Sequence, residues 1–130
     1  METDYAFRIM RALARSGKVT DAGTVSETAA IPQRFALKIL GKLVSGGLVT
    51  SKKGANGGYC LASDPSQITL LDILEVIEGP IVISKCLGDG FVCRHDGVNE
   101  HCDCFFNRVF DEINITIANK LKSVTVADSI

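Results

Sequence analysis

The stretch Ile31–Ala62, IPQRFALKILGKLVSGGLVTSKKGANGGYCLA, decides the fold. The Ile31-Pro32 step breaks any helix before it, because a residue preceding proline avoids helical backbone angles. Pro32 suits the first turn of a new helix, and the apolar spacing carries that helix to about Ser45, where Gly46-Gly47 forms a C-cap. Arg34, Lys38 and Lys42 recur every four residues and share one face. Phe35, Leu37, Leu40, Leu43 and Val44 cover the other side. Two short β-runs follow, Leu48–Lys52 and Tyr59–Ala62, joined by the Gly-rich turn Gly54-Ala55-Asn56-Gly57-Gly58.

Working outward, Asp4–Ser16 reads as an amphipathic helix with Tyr5, Ile9, Met10, Ala12 and Leu13 on its apolar stripe. Arg8, Arg11 and Arg15 lie off that stripe, and Asp4 or Thr3 stands at the N-cap. Thr24–Ala30 makes a short second helix capped by Thr24 or Ser26. A short helix, a tight turn and a longer helix form a helix-turn-helix, and the basic hairpin after it is a wing. Downstream, a helix over Thr69–Glu78 packs Leu70, Ile73, Leu74 and Ile77 and stops at Gly79-Pro80. A last helix from about Cys104 to Ser123 carries Phe106, Phe110, Ile113, Ile117 and Leu121 as one long stripe, with Val109 alongside. That stripe reaches past a small winged domain, and a two-fold dimer is its simplest cover. The expected architecture is mainly α with a small β-hairpin wing: a winged helix-turn-helix over residues 1–80, a Cys-rich loop over 81–104, and a dimerisation helix with its tail over 105–130.

Charge is distributed unevenly under a formal net charge of -1. Residues 1–31 balance four acids against four bases, whereas Pro32–Ser63 holds five bases and no acid. From Asp64 onward there are eleven acids and five bases. A basic island inside a neutral-to-acidic chain is the footprint of a polyanion-binding face, and a cationic helix buried on its other side suits the DNA major groove. A solvated helix would normally mix Glu or Asp into such a face. The candidate DNA contacts are Ser26, Pro32, Gln33, Arg34, Lys38 and Lys42 from the helix pair, with Lys52, Lys53, Asn56 and Gly57 from the wing. The partner expected is double-stranded DNA.

The start of the chain is acidic with no apolar segment behind it, and no apolar run approaches the roughly 20 residues that span a bilayer. A cytoplasmic protein without membrane contact is expected, where clustered cysteines mean metal or redox chemistry more often than disulfides. Four of the five cysteines, Cys86, Cys93, Cys102 and Cys104, fall in KCLGDGFVCRHDGVNEHCDCFF beside His95 and His101, which read as exposed loop residues. Thiolates gathered in a Gly-rich loop can encage a soft or borderline metal, and the loop lets backbone amides approach cluster sulfides. Cys102 and Cys104 also stand at a helix start, where the dipole favours thiolate. Zinc is the competing metal, although the C-x-x-C knuckle usual in structural zinc sites is missing. Reversible thiol oxidation without metal is a third option. A thiol-redox enzyme is a remote fourth, since no C-x-x-C motif, nucleotide loop or Ser/His/Asp set supports it. Cys60, between Tyr59 and Leu61, reads as a small buried hydrophobe.

TDYAFRIMRALA, IPQRFALKILGKLVSGGLV, the wing GANGGYCLA, ITLLDILEVIEGP and spaced cysteines before a long helix occur here in that order. Together they resemble the IscR/NsrR/RirA family of bacterial winged-helix, iron–sulfur-responsive transcription regulators, over nearly the whole chain. The double-glycine wing and the IEGP helix end carry most of the specificity. The resemblance implies a homodimer on a palindromic operator, acting as a repressor whose DNA affinity is controlled by a cluster sensing iron, redox state or nitric oxide. A 4Fe–4S cluster is favoured over 2Fe–2S. The family's three cysteines map to Cys86, Cys93 and Cys104. IscR-like members place a histidine ligand where this chain has Asn107, whereas NsrR-like members use a carboxylate of the partner subunit, a position matched by Asp4. The implied ligands are Cys86, Cys93 and Cys104 with Asp4 from the partner subunit, and Cys102 or one of His95 and His101 as the alternative. The gaps between the cysteines are longer than the family's usual spacing. Leu37 replaces a Glu that helps IscR-like proteins choose operators, so an operator of that type is not expected.

Overall fold

A computed structural model describes residues 2–83, Leu87 and residues 105–130. Helix α1, Glu2–Ser16, is the central pillar. Its stripe Ala6, Ile9, Met10, Leu13, spaced three and four apart, is buried, and α1 packs on three further helices and on the hairpin. The helix begins at Glu2, two residues before the expected start, so Asp4 is a helical residue rather than a cap.

Helix α2, Ala22–Ala29, is capped by Asp21, whose carboxylate accepts the backbone N–H of Thr24 at 2.9 Å and the Thr24 hydroxyl at 2.8 Å. Neither Thr24 nor Ser26 is the cap, because the helix starts two residues earlier than its apolar pattern indicates. It ends in a Schellman motif: Ala30 takes a left-handed conformation (φ 55°), and the N–H groups of Ala30 and Ile31 donate to the carbonyls of Glu27 and Ser26. Helix α3, Gln33–Ser45, follows, with Pro32 in an extended conformation as its N-cap rather than in its first turn. It buries Ala36, Ile39, Leu40 and Leu43 and ends at Gly46-Gly47, as expected.

Strands β1, Val49–Lys52, and β2, Gly58–Leu61, pair antiparallel with Val49 opposite Leu61 and Lys52 opposite Gly58. Both wing glycines are sterically required. A Cβ on Gly57 would stand 2.3 Å from the Lys52 carbonyl oxygen, and one on Gly58 would stand 2.4 Å from that of Thr20. The second contact arises because Thr20 exchanges two 2.8 Å backbone hydrogen bonds with Tyr59, tying the wing to the end of α1.

Helix α4, Leu70–Glu78, begins with a reciprocal capping box between Thr69 and Asp72. Helix α5, Phe105–Ser123, packs along α4. The chain then turns back to the winged domain. The Leu70 N–H donates to the Val124 carbonyl, the Val126 N–H donates to the Ile68 carbonyl, and Val126 is 2% exposed within the same core as Ile9 and Ile73. Arg11 holds the last turn, Val126–Ser129, by donating its Nε–H to the Ser129 carbonyl at 3.0 Å. The short segment after α5 thus completes the hydrophobic core of the N-terminal domain. Its sequence gives little sign of this, since VTVADSI offers too few residues to show a period.

Candidate nucleic-acid interface

The exposed side of α3 carries Arg34, Lys38 and Lys42, and the hairpin that follows carries Lys52 and Lys53. The i, i+4 repeat puts Arg34, Lys38 and Lys42 on one side of α3, as expected, but the buried side is Ala36, Ile39, Leu40 and Leu43; Phe35 and Leu37, expected there, are 37% and 45% exposed because they stand one residue step, roughly 100°, to either side of Ala36. Arg34 lies 4.7 Å from the centre of the Phe35 ring, a cation–π distance. Phe35 in turn contacts Tyr5 of α1, with ring centres 6.0 Å apart. Pro32, Gln33 and Leu37 are exposed on the same helix start, and Lys52, Lys53 and Asn56 are exposed at the wing tip. Among the described residues no carboxylate forms a salt bridge with Arg34, Lys52 or Lys53.

Two expected contacts have other work in this geometry. Ser26 is 8% exposed, and its hydroxyl donates to the Ile31 carbonyl at 2.7 Å, holding the turn that sets the angle between α2 and α3. Gly57 shapes the wing turn and donates its N–H to the Gly54 carbonyl. The lysine face also has an occupant that the sequence pattern does not reveal. Glu2, at the start of α1, reaches both lysines, with 2.5 Å from one carboxylate oxygen to Lys38 Nζ and 2.5 Å from the other to Lys42 Nζ. Hydrogen bonding to Lys38, then to Lys42, holds the Glu2 carboxyl down at about 2, so it is fully ionised at neutral pH. The acid-free island from Pro32 to Ser63 therefore borrows an acid from a distant part of the chain.

Cys86, Cys93, Cys102 and Cys104, with His95 and His101, lie outside the described residues. The remaining proposed ligand, Asp4, is exposed in the first turn of α1, where its carboxylate pairs with Arg8 at 2.8 Å. Asn107 lies half-buried on α5. Cys60 pairs across the hairpin with Thr50 and is half-buried rather than part of the closed core. The edge position of a two-stranded sheet explains that difference. Among the described residues no three His, Cys, Asp or Glu side chains gather as a metal site, and no helix is long and apolar enough to cross a membrane.

The fold and the cationic surface define a winged helix-turn-helix protein. The chain belongs to the Rrf2 family, iron-dependent transcriptional regulators, which it matches over residues 1–130. It is 35% identical over 91 residues to an HTH-type transcriptional regulator of Mycobacterium tuberculosis, a match covering 68% of this chain and 56% of that protein. It is 36% identical over 87 residues to the HTH-type transcriptional regulator CymR of Bacillus subtilis, covering 65% of this chain and 63% of CymR. The solved structure of B. subtilis CymR, described as that organism's global cysteine regulator, is similar at a TM-score of 0.78 and 28% identity, covering 98% of this chain and 92% of that one. T. potens IscR shares the fold at a TM-score of 0.77 and 24% identity, covering 99% of this chain and 82% of that one. These relatives are transcriptional regulators, so the thiol-redox enzyme falls away as an alternative.

Proposed function

We propose that this protein is a cytoplasmic repressor that binds a palindromic operator as a homodimer and is controlled by an iron–sulfur cluster. The observation that carries the DNA-binding part is that one helix-turn-helix and the hairpin after it hold the α3 cations Arg34, Lys38 and Lys42 and the exposed wing cations Lys52 and Lys53. In this reading α3 enters the major groove with Pro32, Gln33 and Arg34 leading. Lys38 and Lys42 meet the phosphates, and the wing reaches the minor groove. Ser26 acts indirectly, by fixing the angle at which α3 is presented.

The donor chemistry fits a cluster. Cys86, Cys93 and Cys104 would supply soft thiolates, with Asp4 of the partner subunit or Cys102 as the fourth ligand. When bound, such a cluster supplies a centre that responds to iron, oxidants or nitric oxide. The chain's own part is positional. Asp4 must exchange Arg8 for the partner's loop, so occupancy of the site bears on the first turn of α1, and that turn already touches α3 through Glu2 and α4 through the 2.9 Å bond from Thr3 to Glu78. A small displacement there changes the spacing of two recognition helices across a dimer.

In a second reading, to which the likeness to the cysteine regulator CymR gives weight, the same cysteines sense redox state without metal. Protein purified without oxygen separates the two. A broad absorption band near 400 nm (the region expected of sulfide-to-iron charge transfer), with comparable iron and sulfide, supports the cluster. Colourless protein with one zinc per chain overturns it in favour of a structural metal. Colourless, metal-free protein that also fails reconstitution with iron and sulfide leaves thiol sensing. The DNA-binding part is tested by selecting duplexes from a random pool; failure to enrich any duplex, at low salt, with folded dimeric protein, overturns it.

A further inference from the structure

We infer that Glu2 is a specificity-determining residue of the DNA-binding face: it occupies Lys38 and Lys42 in the free protein and weakens their contact with DNA of arbitrary sequence. The inference rests on the proposed DNA-binding role of α3 and extends it to a residue outside the helix-turn-helix. The geometry is specific. One carboxylate spans two lysines one helical turn apart, each oxygen taking one ammonium at 2.5 Å. A carboxylate held this way stands where a phosphate would have to stand, and it offers the two lysines the same kind of charge-assisted partner. Of the three α3 cations, Arg34 remains without such a partner among the described residues. Arg34 is also the cation at the start of the helix, where base edges are read.

The consequence is a difference between classes of duplex. Any DNA offers phosphates, and for those Glu2 is a competitor already in place. Only a sequence that also engages Gln33, Arg34 and the wing recovers what is lost in displacing it. Removing the charge therefore raises affinity for arbitrary DNA more than affinity for the chosen site, and the ratio between them falls. Placement in the first turn of α1 matters as well, because a helix end can be withdrawn from α3 without unfolding the core beneath it.

The test compares wild type, Glu2→Gln, Lys38→Ala/Lys42→Ala and the triple variant by fluorescence anisotropy. The probes are a 30-base-pair duplex of scrambled sequence and the duplex selected by the wild-type protein from a random pool. Glu2→Gln is expected to bind the scrambled duplex about fivefold more tightly, the size expected from freeing two exposed ion pairs, with a salt slope steeper by about one. For the selected duplex the gain is expected to stay below about twofold, because specific contacts already displace the carboxylate. In the double-lysine background the Glu2 effect should vanish, as a coupling between contacting groups must. If the double-lysine variant weakens binding but Glu2→Gln changes neither affinity nor slope, Glu2 has no such role while the DNA-binding face stands. If the double-lysine variant binds both duplexes as wild type does, the face itself is wrong. An equal gain on both duplexes also overturns the specificity role. Matching melting curves show that each variant is folded, and Glu2→Ser replaces Glu2→Gln if the latter melts early.

Discussion

Helices α3 and α5 are both amphipathic, and they meet opposite fates in the folded chain. The apolar side of α3 is closed: Ala36, Ile39, Leu40 and Leu43 are at most 1% exposed. Helix α5 is longer, yet none of its residues is buried. Of its stripe Phe106 is 61% exposed and Ile113 and Ile117 are open as well. The same sequence signal, an apolar stripe at helical spacing, is satisfied within the chain in one case and, among the described residues, left partly open in the other. Each buried Leu or Ile is worth about 1.5–3 kcal/mol, so the open part of the α5 stripe represents a driving force that the described residues leave without an outlet. Such a surface is what a second copy would cover, and the proposed homodimer rests on it.

That contrast can be broken by measurement. Ile39→Ala should cost about 2–5 kcal/mol of unfolding free energy in denaturant melts, by a similar amount at any protein concentration, because a cavity is left in a closed core. Ile117→Ala should behave differently, its cost shrinking as the protein is diluted below the dimer's dissociation constant, because stability gained across an interface is lost with the dimer. Equal, concentration-independent losses would mean that α5 has no partner. A stronger form replaces both Ile113 and Ile117 with Glu. Sedimentation equilibrium should then report a monomer with its winged domain still folded, since neither residue is buried in the subunit.

Smaller effects test the cationic side of α3. Lys38→Ala should weaken binding to all duplexes and lower the salt slope by about one unit. An unchanged slope would remove Lys38 from the phosphate contacts. The smallest effect concerns the turns that place the helices. Asp21 is held below the usual aspartate value of 3.8, first by the Thr24 N–H and then by its hydroxyl, and Asp64 likewise by the Ser66 hydroxyl and then its N–H. A depressed carboxyl contributes stability that is present above its unfolded value and lost as pH falls through its folded value. The melting temperature should therefore decline as pH drops below about 4, and Asp21→Asn should flatten that decline. A melting temperature that declines equally in Asp21→Asn would show that the cap contributes nothing to the acid transition.

Much of this molecule was legible in one dimension because its signals are local. The end of α3 at Gly46-Gly47, the wing register around Gly57-Gly58 and the span of α4 follow from turn chemistry and periodicity within a few residues. The i, i+4 spacing of Arg34, Lys38 and Lys42 likewise put three cations on one side before any packing was known. Helix starts were less legible. Asp21 caps α2 through a side chain three residues from its donor partner, and Glu2 and Thr3 extend α1 backward because α3 and α4 offer them partners.

The set of elements and the sign of their surfaces follow from the order of residues alone, since both depend on neighbours within a turn or two. It took the folded arrangement to turn Ser26 inward to Ile31, to fill the core beside Ile73 with Val126, and to seat Glu2 on Lys38 and Lys42 from 36 and 40 residues away. Each of those contacts joins segments whose spacing has no period to read. Closing the core around α1 is what brings them together, and the chemistry at the DNA-binding face is set as much by that closure as by the cationic helix itself.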